Sequence, residues 1–333
     1  MSRRILVLLA TLAALAVAAT PAAAQLPAPP APPAPPAPPA APGKATLGVK
    51  GGVATKRIRY FARKQRVLVT GTVKPFVAHQ TVTLSVVGKK GKVLARRRSA
   101  ITRGPKGTGR YAMRFKTRGA GFLRLVVKHN ATHQQAAFRA RARRIQVIHW
   151  SAGQGARGTR VVLLQRQLHS LGYAVPLTGQ FDGGTSRAVT AFRKANGLGR
   201  TGFAAAGVFD RLLNGRGAFK LRYPGAGRHV EFDWSRQVLV LADKGRPFRT
   251  YHASSGKPST PTVFGTFHFY SKQPGTNAHG MVDSNYFIGG YAIHGYASVP
   301  NFAASHGCIR VPIPNARDIF DHVSLGETIF VYR

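Results

Sequence analysis

The sequence predicts a multidomain, mainly β protein in which one small helical domain sits between two β-rich ones. Three observations predict it. Residues 44–149 alternate apolar and polar side chains in short runs separated by Gly- and Lys-rich turns; residues 150–216 change to amphipathic helical spacing; residues 219–333 return to strand-length runs. A chain of 333 residues is long enough for two or three domains.

The N-terminus carries targeting and spacing segments rather than a core. Ser2-Arg3-Arg4, the apolar run Ile5 to Ala19 and the small residues Ala22-Ala23-Ala24 before Gln25 read as a secretory signal over 1–24. The apolar run is shorter than the ~20 residues a spanning helix needs. Residues 25–43 are dominated by a Pro-Ala repeat that favours polyproline II, a stiff spacer rising ~3.1 Å per residue. The expected location is therefore the periplasm or the cell wall.

Charge is uneven along the chain. Fifty Lys plus Arg against nine Asp plus Glu give a formal charge of +41, and the first acidic residue is Asp182. Residues 44–150 hold 27 Lys or Arg and no carboxylate, whereas 219–333 hold 12 basic and seven acidic residues. Such a field attracts polyanions. In an exported protein the expected counterions are anionic cell-envelope polymers, and no nucleic acid partner is expected.

Within 44–149, the runs Arg66 to Val73, Gln80 to Val87, Gly109 to Phe115 and Gly121 to Val127 have the spacing of an Ig-like β-sandwich. No catalytic constellation appears in them. From 150 to 216, Val161 to Tyr173 has helical apolar spacing ending at Gly172, Thr185 stands as the N-cap of a second helix, and a third spans Ala206 to Leu213. The framework Gly158, Leu164-Gln165, Leu168, Leu171-Gly172-Tyr173, Gly179, Phe181-Asp182, Thr185, Ala188-Val189, Phe192 and Gly197-Leu198 resembles the peptidoglycan-binding repeat PG_binding_1, departing from it at Arg193. The resemblance implies a three-helix wall-binding domain. Its matching residues are core and turn positions that identify the fold rather than a ligand contact.

Residues 219–333 carry the chemistry. Strands are expected over Gln237 to Leu241, Phe248 to Ser254, Gly265 to Tyr270, Tyr286 to Ile288, Tyr291 to His294 and Thr328 to Tyr332, with one helix around Pro314 to Val323. Cys308 is the chain's only cysteine, so it has no partner for an internal disulfide, and it lies in Ser305-His306-Gly307-Cys308-Ile309-Arg310. A thiol is largely protonated at neutral pH, so a nucleophilic Cys308 needs a base, and His294 supplies one if its strand ends beside the sulfur. The backbone amides of His306, Gly307 and Cys308 are then placed to donate to an oxyanion, in a turn that needs a glycine at 307. Ser305 and His306 shape that turn. Since Asp283 is the only carboxylate near these motifs, the imidazole is expected to be oriented by a backbone carbonyl or by Ser305.

Ser254-Ser255-Gly256-Lys257, Thr260 to Phe267, Ala292-Ile293-His294-Gly295 and the Cys308 hexapeptide together resemble the YkuD-type L,D-transpeptidase catalytic domain. Two departures are a short gap between His294 and Ser305 and Arg310 where some members have Asn. The resemblance implies a β-rich catalytic domain acting without cofactor or metal. Catalytic roles fall to Cys308, His294, His306, Ser305 and Gly307, and substrate contacts to Arg310, Gly295, Ser255 and Tyr286. It implies attack by Cys308 on the L,D amide of a peptidoglycan tetrapeptide stem, release of D-alanine, and transfer of the acyl group to an amine of a neighbouring stem, with carbapenems as covalent inhibitors. Water as acceptor makes the same residues an L,D-carboxypeptidase, and a decayed site leaves a non-catalytic wall-binding protein. Zinc held by His294, His306 and Cys308 is a further alternative. Tyr286 and Phe287 also fit as core, and His252, His268 and His279 as structural histidines.

Overall fold

The computed structural model describes residues 39–56 and 58–333, so the signal segment and nearly all of the Pro-rich spacer lie outside the described residues. Ala40–Arg333 form one compact unit. The architecture is the mainly β, multidomain one expected, with two sheets in the N-terminal part, helices α1 (Thr159–Ser170), α2 (Gly183–Ala195) and α3 (Ala206–Leu213), and a C-terminal β-rich part carrying α4 (Ile313–His322).

The N-terminal sandwich places strands Lys44–Ala45, Arg66–Lys74, Gly109–Lys116 and Thr102–Arg103 in one sheet. The other runs Val53–Ala54, Arg59–Ala62, Arg143–Ile148, Gly121–His129, Thr81–Val87, Val93–Ala100. Strand alternation does the sorting: in Gly109–Lys116 every second residue is buried. Val67, Val69, Met113 and Phe115 meet Val82, Leu84, Leu125 and Val127 in the core between the sheets. The end of the Pro-rich segment joins this fold, where Ala41 donates to the Gln134 carbonyl at 3.1 Å and accepts from Ala136 at 2.9 Å.

The helical domain shares its core with the sandwich. Tyr60, Ala62 and Ile148 pack with Val161, Leu164, Phe192 and Phe209. The Gln65 side chain accepts from the Ala62 amide at 2.8 Å and donates to the Leu213 carbonyl at 3.1 Å. Helix α3 covers the residues its sequence spacing indicates. Helix α2 starts earlier than expected, because Asp182 rather than Thr185 is its N-cap: the Asp182 carboxylate accepts from the Thr185 amide at 2.7 Å. Thr185 is instead buried, bonded to Gln165 at 2.8 Å.

The C-terminal part is built of two sheets. One has the order Arg246–His252, Val238–Asp243, His229–Asp233, Thr328–Tyr332, Gly265–His268; the other runs Ser271–Thr276, Val282–Ile288, Tyr291–Tyr296, Ile309–Pro312. Phe232, Leu239 and Leu241 from the first meet Phe287, Ile293, Ile309 and Val311 from the second, with Ala316 and Ile319 of α4 completing the core. Strand His229–Asp233 was not anticipated. Its Glu231 is fully buried but accepts from the amides of Arg222 and Tyr223 at 2.9 and 2.8 Å, which replaces the water it lost.

Helix α2 holds the C-terminal part through a buried lysine. Lys194, 2% exposed, donates to the Gln237 carbonyl at 3.2 Å, the Ala253 carbonyl at 2.9 Å and His252 Nδ1 at 2.7 Å. All three partners are acceptors, which suits the three N–H donors of an ammonium. Burial, with Arg200 nearby, nevertheless pulls the Lys194 pKa down to about 6. His252 Nε2 faces the Val299 carbonyl at 2.9 Å, so the ring proton sits there and Nδ1 is left to accept. Arg200 adds a second tie, since Asn301 Nδ2 donates to its carbonyl at 2.9 Å. The loop between His294 and Ser305 is thus fastened to the helical domain directly at Asn301 and, through His252, at Val299.

Burial, then the neighbouring Lys194 charge, pushes His252 down to about 3. The unfolded chain binds that proton near the ordinary 6.5, so the folded state holds fewer protons between about 3 and 6.5, and stability falls as pH drops through that window. Urea unfolding at stepped pH should show this fall in the wild type and a shallower one in His252→Gln; identical slopes would remove His252 from the clasp.

Candidate active site

Strand pairing brings the two sequence motifs together. Tyr291–Tyr296 and Ile309–Pro312 run in parallel, with Ile293 beside Ile309 and His294 beside Arg310. Continuing that register sets Cys308 beside Ala292. Because side chains alternate across a sheet, Ala292, His294, Tyr296, Cys308 and Arg310 share one face, while Ile293, Ile309 and Val311 enter the core on the other. Two residues separated by a loop therefore present a thiol and an imidazole to the same surface.

The turn before the strand is held from both sides. Ser305, 1% exposed, donates its hydroxyl to the Cys308 carbonyl at 2.6 Å and accepts from the Gly307 amide at 3.1 Å. Thr262 donates to the Gly307 carbonyl at 2.6 Å while accepting from the Gly256 amide at 2.9 Å, and Thr260 donates to the Ser305 carbonyl at 3.0 Å. Gly307 has φ +126°, and a Cβ there would stand 2.5 Å from the Tyr291 ring. Both backbone and space demand glycine. Underneath, the Ser255 carbonyl accepts from the Ala304 and Ser305 amides, and Ser255 is itself bonded to Gln237. The Gln237 carbonyl is one of the acceptors of Lys194.

His294 is 3% exposed, and its Nδ1 lies 2.9 Å from the Gly295 carbonyl. That contact makes Nδ1 the protonated nitrogen and leaves Nε2 with its lone pair. Burial lowers the His294 pKa; the Gly295 carbonyl opposes this, and Arg310 adds to it. Burial also raises the Cys308 thiol above its ordinary value, with the Ala292 amide and Arg310 acting against it. The thiol hydrogen points to the Gly290 carbonyl at 3.6 Å. Both shifts favour a neutral thiol beside a neutral imidazole at rest.

The expected substrate contacts do not all reach this face. Gly295 is on the core side, where an added Cβ would lie 2.7 Å from Ala316 of α4; what it gives the site is its carbonyl. Ser255 is fully buried as a prop under the turn. Tyr286 pairs with Ala292 and is half-buried, its hydroxyl donating to Gln273 at 3.1 Å. Arg310, expected at the substrate, stacks on the Tyr296 ring at 4.0 Å from its centroid. His306 is exposed on the turn. Tyr296, edge-on to His294 at 5.7 Å, was missed, though it lies two residues after His294 and so on the same face. Tyr291, Thr262 and Gln237 were missed as well; only Thr262 lay inside a recognised motif. Among the described residues no group of three His, Cys, Asp or Glu side chains gathers to hold a metal.

Residues 227–331 match the L,D-transpeptidase catalytic domain family (YkuD), and residues 157–212 match the putative peptidoglycan binding domain (PG_binding_1). The crystal structure of the L,D-transpeptidase from Xylanimonas cellulosilytica DSM 15894 is 32% identical with a TM-score of 0.51, over 54% of this chain and 97% of that one. The chain belongs to the L,D-transpeptidase family. L,D-transpeptidase 1 of Mycobacterium tuberculosis (strain ATCC 25618 / H37Rv) is 32% identical over 123 residues, 29% of this chain and 47% of that protein. The chain thus spans about half the length of the curated relatives it matches.

Two outcomes follow from this geometry. Iodoacetamide alkylation of Cys308 across pH, read by mass spectrometry, should give an apparent pKa above that of a free cysteine peptide measured alongside; a lower one would mean a preformed thiolate. Gly307→Ala should cost on the order of 1–3 kcal/mol in denaturant unfolding, from the forbidden φ and the Tyr291 contact. A midpoint equal to wild type would show that the turn relaxes freely.

Proposed function

We propose that this member of the family is an exported peptidoglycan L,D-transpeptidase with Cys308 as nucleophile and His294 as base. The observation carrying this reading is the shared sheet face of Cys308 and His294, with Nδ1–H committed to the Gly295 carbonyl. His294 Nε2 accepts the thiol proton as sulfur attacks the L,D amide carbonyl of a tetrapeptide stem. Because Ser305 already engages the Gly307 amide, the amides of His306 and Cys308 are the turn's donors to the tetrahedral oxygen. Collapse breaks the C–N bond, the imidazolium returns its proton to the departing D-alanine amine, and a thioester remains on Cys308. A neighbouring stem's amine, giving its proton to Nε2, attacks the thioester; the new amide forms and the thiol is restored. No step needs a metal or organic cofactor.

Ser305 fixes the turn, Arg310 on Tyr296 presents a guanidinium at the site's edge, and Tyr286 flanks it. The helical domain brings the site to the wall, and the basic sandwich meets anionic envelope polymers. The same thioester chemistry makes carbapenems covalent inhibitors at Cys308.

Incubation with tetrapeptide-containing muropeptides and mass spectrometry tests the reading. A 3-3 dimer that disappears in Cys308→Ala supports it; a tripeptide alone identifies an L,D-carboxypeptidase; no product identifies a wall-binding protein. His294→Gln should lower kcat by roughly 10²–10⁴-fold, the usual worth of a positioned base. In the wild type the acid limb of kcat/KM should lie below the usual histidine range, since burial lowers the pKa of the base that must be unprotonated.

A further inference from the structure

The outer face of the sandwich's larger sheet is built as a cationic trough, and we propose that it binds a linear polyol-phosphate polymer of the cell envelope. The register sets out the face residue by residue. Thr83 and Ser85 occupy the middle strand, with Arg98 and Arg96 across from them on one side. Lys128 and Val126 stand across on the other, with Arg139 beyond Lys128. One row along, Arg124 stands across from Val87, with Arg144 beyond it. All six cations are exposed, whereas the intervening Val82, Leu84, Val86, Leu125 and Val127 point into the core.

The face is concave. Thr83, Ser85, Arg96, Arg124, Lys128 and Arg139 line a hollow of about 550 Å³. An adjoining hollow of about 710 Å³ shares Arg124 and adds Lys89, Lys92, Arg144 and the exposed Phe122. Short hydroxyl side chains keep the floor low and can donate to anionic oxygens, and arginine forks match phosphate oxygens in pairs.

The placement of these charges is costly without a ligand. Lys128 faces Arg139, and Arg124 faces Arg144, as direct cross-strand partners, and like charges in such positions destabilise a sheet. No carboxylate exists anywhere in residues 44–150 to relieve them. An anionic chain laid along the trough would supply the missing counter-charge.

The same sheet also sets the trough beside the helical domain. Its strands Arg59–Ala62 and Arg143–Ile148 carry Tyr60, Ala62 and Ile148, which form one core with the helical domain. A polymer in the trough therefore runs beside the domain that matches the peptidoglycan-binding family, and the choice of an envelope polymer rests on the wall setting proposed above.

Fluorescence anisotropy with a labelled poly(glycerol phosphate) oligomer and the full chain tests the site, with hyaluronate and single-stranded DNA of equal charge as comparators. Arg96→Gln/Arg124→Gln/Lys128→Gln should weaken binding at least tenfold and flatten its salt dependence, because fewer counterions are released. Arg110→Gln/Arg114→Gln/Lys116→Gln removes equal charge from the outer face of the other sheet and should change affinity less than twofold. Arg139→Gln, relieving the pair with Lys128, should raise Tm, and the polymer should raise the wild-type Tm. Equal loss in both triple variants, tighter binding of hyaluronate or DNA, or no binding would overturn the proposal. Crosslinking of muropeptides by the same variants should equal wild type, so failure here is distinguishable from failure of the catalytic reading.

Discussion

The parallel pairing of Tyr291–Tyr296 with Ile309–Pro312 is the constraint on which the site depends. It fixes the phase of both strands, so that His294 and Cys308 emerge on one face while Ile293, Ile309 and Val311 are buried on the other. A slip by one residue would send either side chain into the core. Two glycines make the pairing possible. Gly295 lets α4 approach the strand, and Gly307 lets the chain turn beneath Tyr291 into the next one. The Gly295 carbonyl then holds the imidazole, so a packing residue also fixes the tautomer.

The helical domain is joined to this arrangement by polar contacts as well as by packing. Lys194 reaches Gln237, Gln237 holds Ser255, and the Ser255 carbonyl holds the amide of Ser305. Through His252 the same lysine reaches Val299, in the loop that joins the two catalytic motifs. The short gap between His294 and Ser305 gains its support from the neighbouring domain. A site whose turn is fastened by buried hydrogen bonds needs little reorganisation when charge develops on the substrate.

Periodicity and punctuation made much of this legible. The third helix follows its apolar spacing, and the sandwich strands alternate as their sequences do, because in both cases burial decides the structure. Strand His229–Asp233 was hidden by its charged residues: Glu231 is satisfied by amides and a tyrosine that only the fold brings near, and Asp233 by Ser235 and Arg236 just beyond the strand. Strand Ser271–Thr276 was hidden by Pro274, which an edge position tolerates. Asp182 was passed over as a cap in favour of Thr185, and the helix it starts opens on Gly183 and Gly184, which are poor helix formers. In the site, Cys308 and His294 stood out by chemistry, whereas membership in a motif did not say which way a residue faces. Hence Ser255 and Gly295, expected at the substrate, are placed underneath and behind it. Lys194 gave no signal, since a lysine on a helix usually marks a solvated face.

The central claim is that Cys308 and His294, on one sheet face, rest as a neutral pair, with the imidazole proton on Nδ1 and the lone pair on Nε2. Nitrogen NMR of the protein labelled in its histidine rings, with His294 assigned by substitution, measures this directly. The account predicts the Nδ1–H tautomer at neutral pH and titration below the usual histidine range. An Nε2–H tautomer, or an imidazolium at neutral pH that disappears in Cys308→Ala, would contradict it.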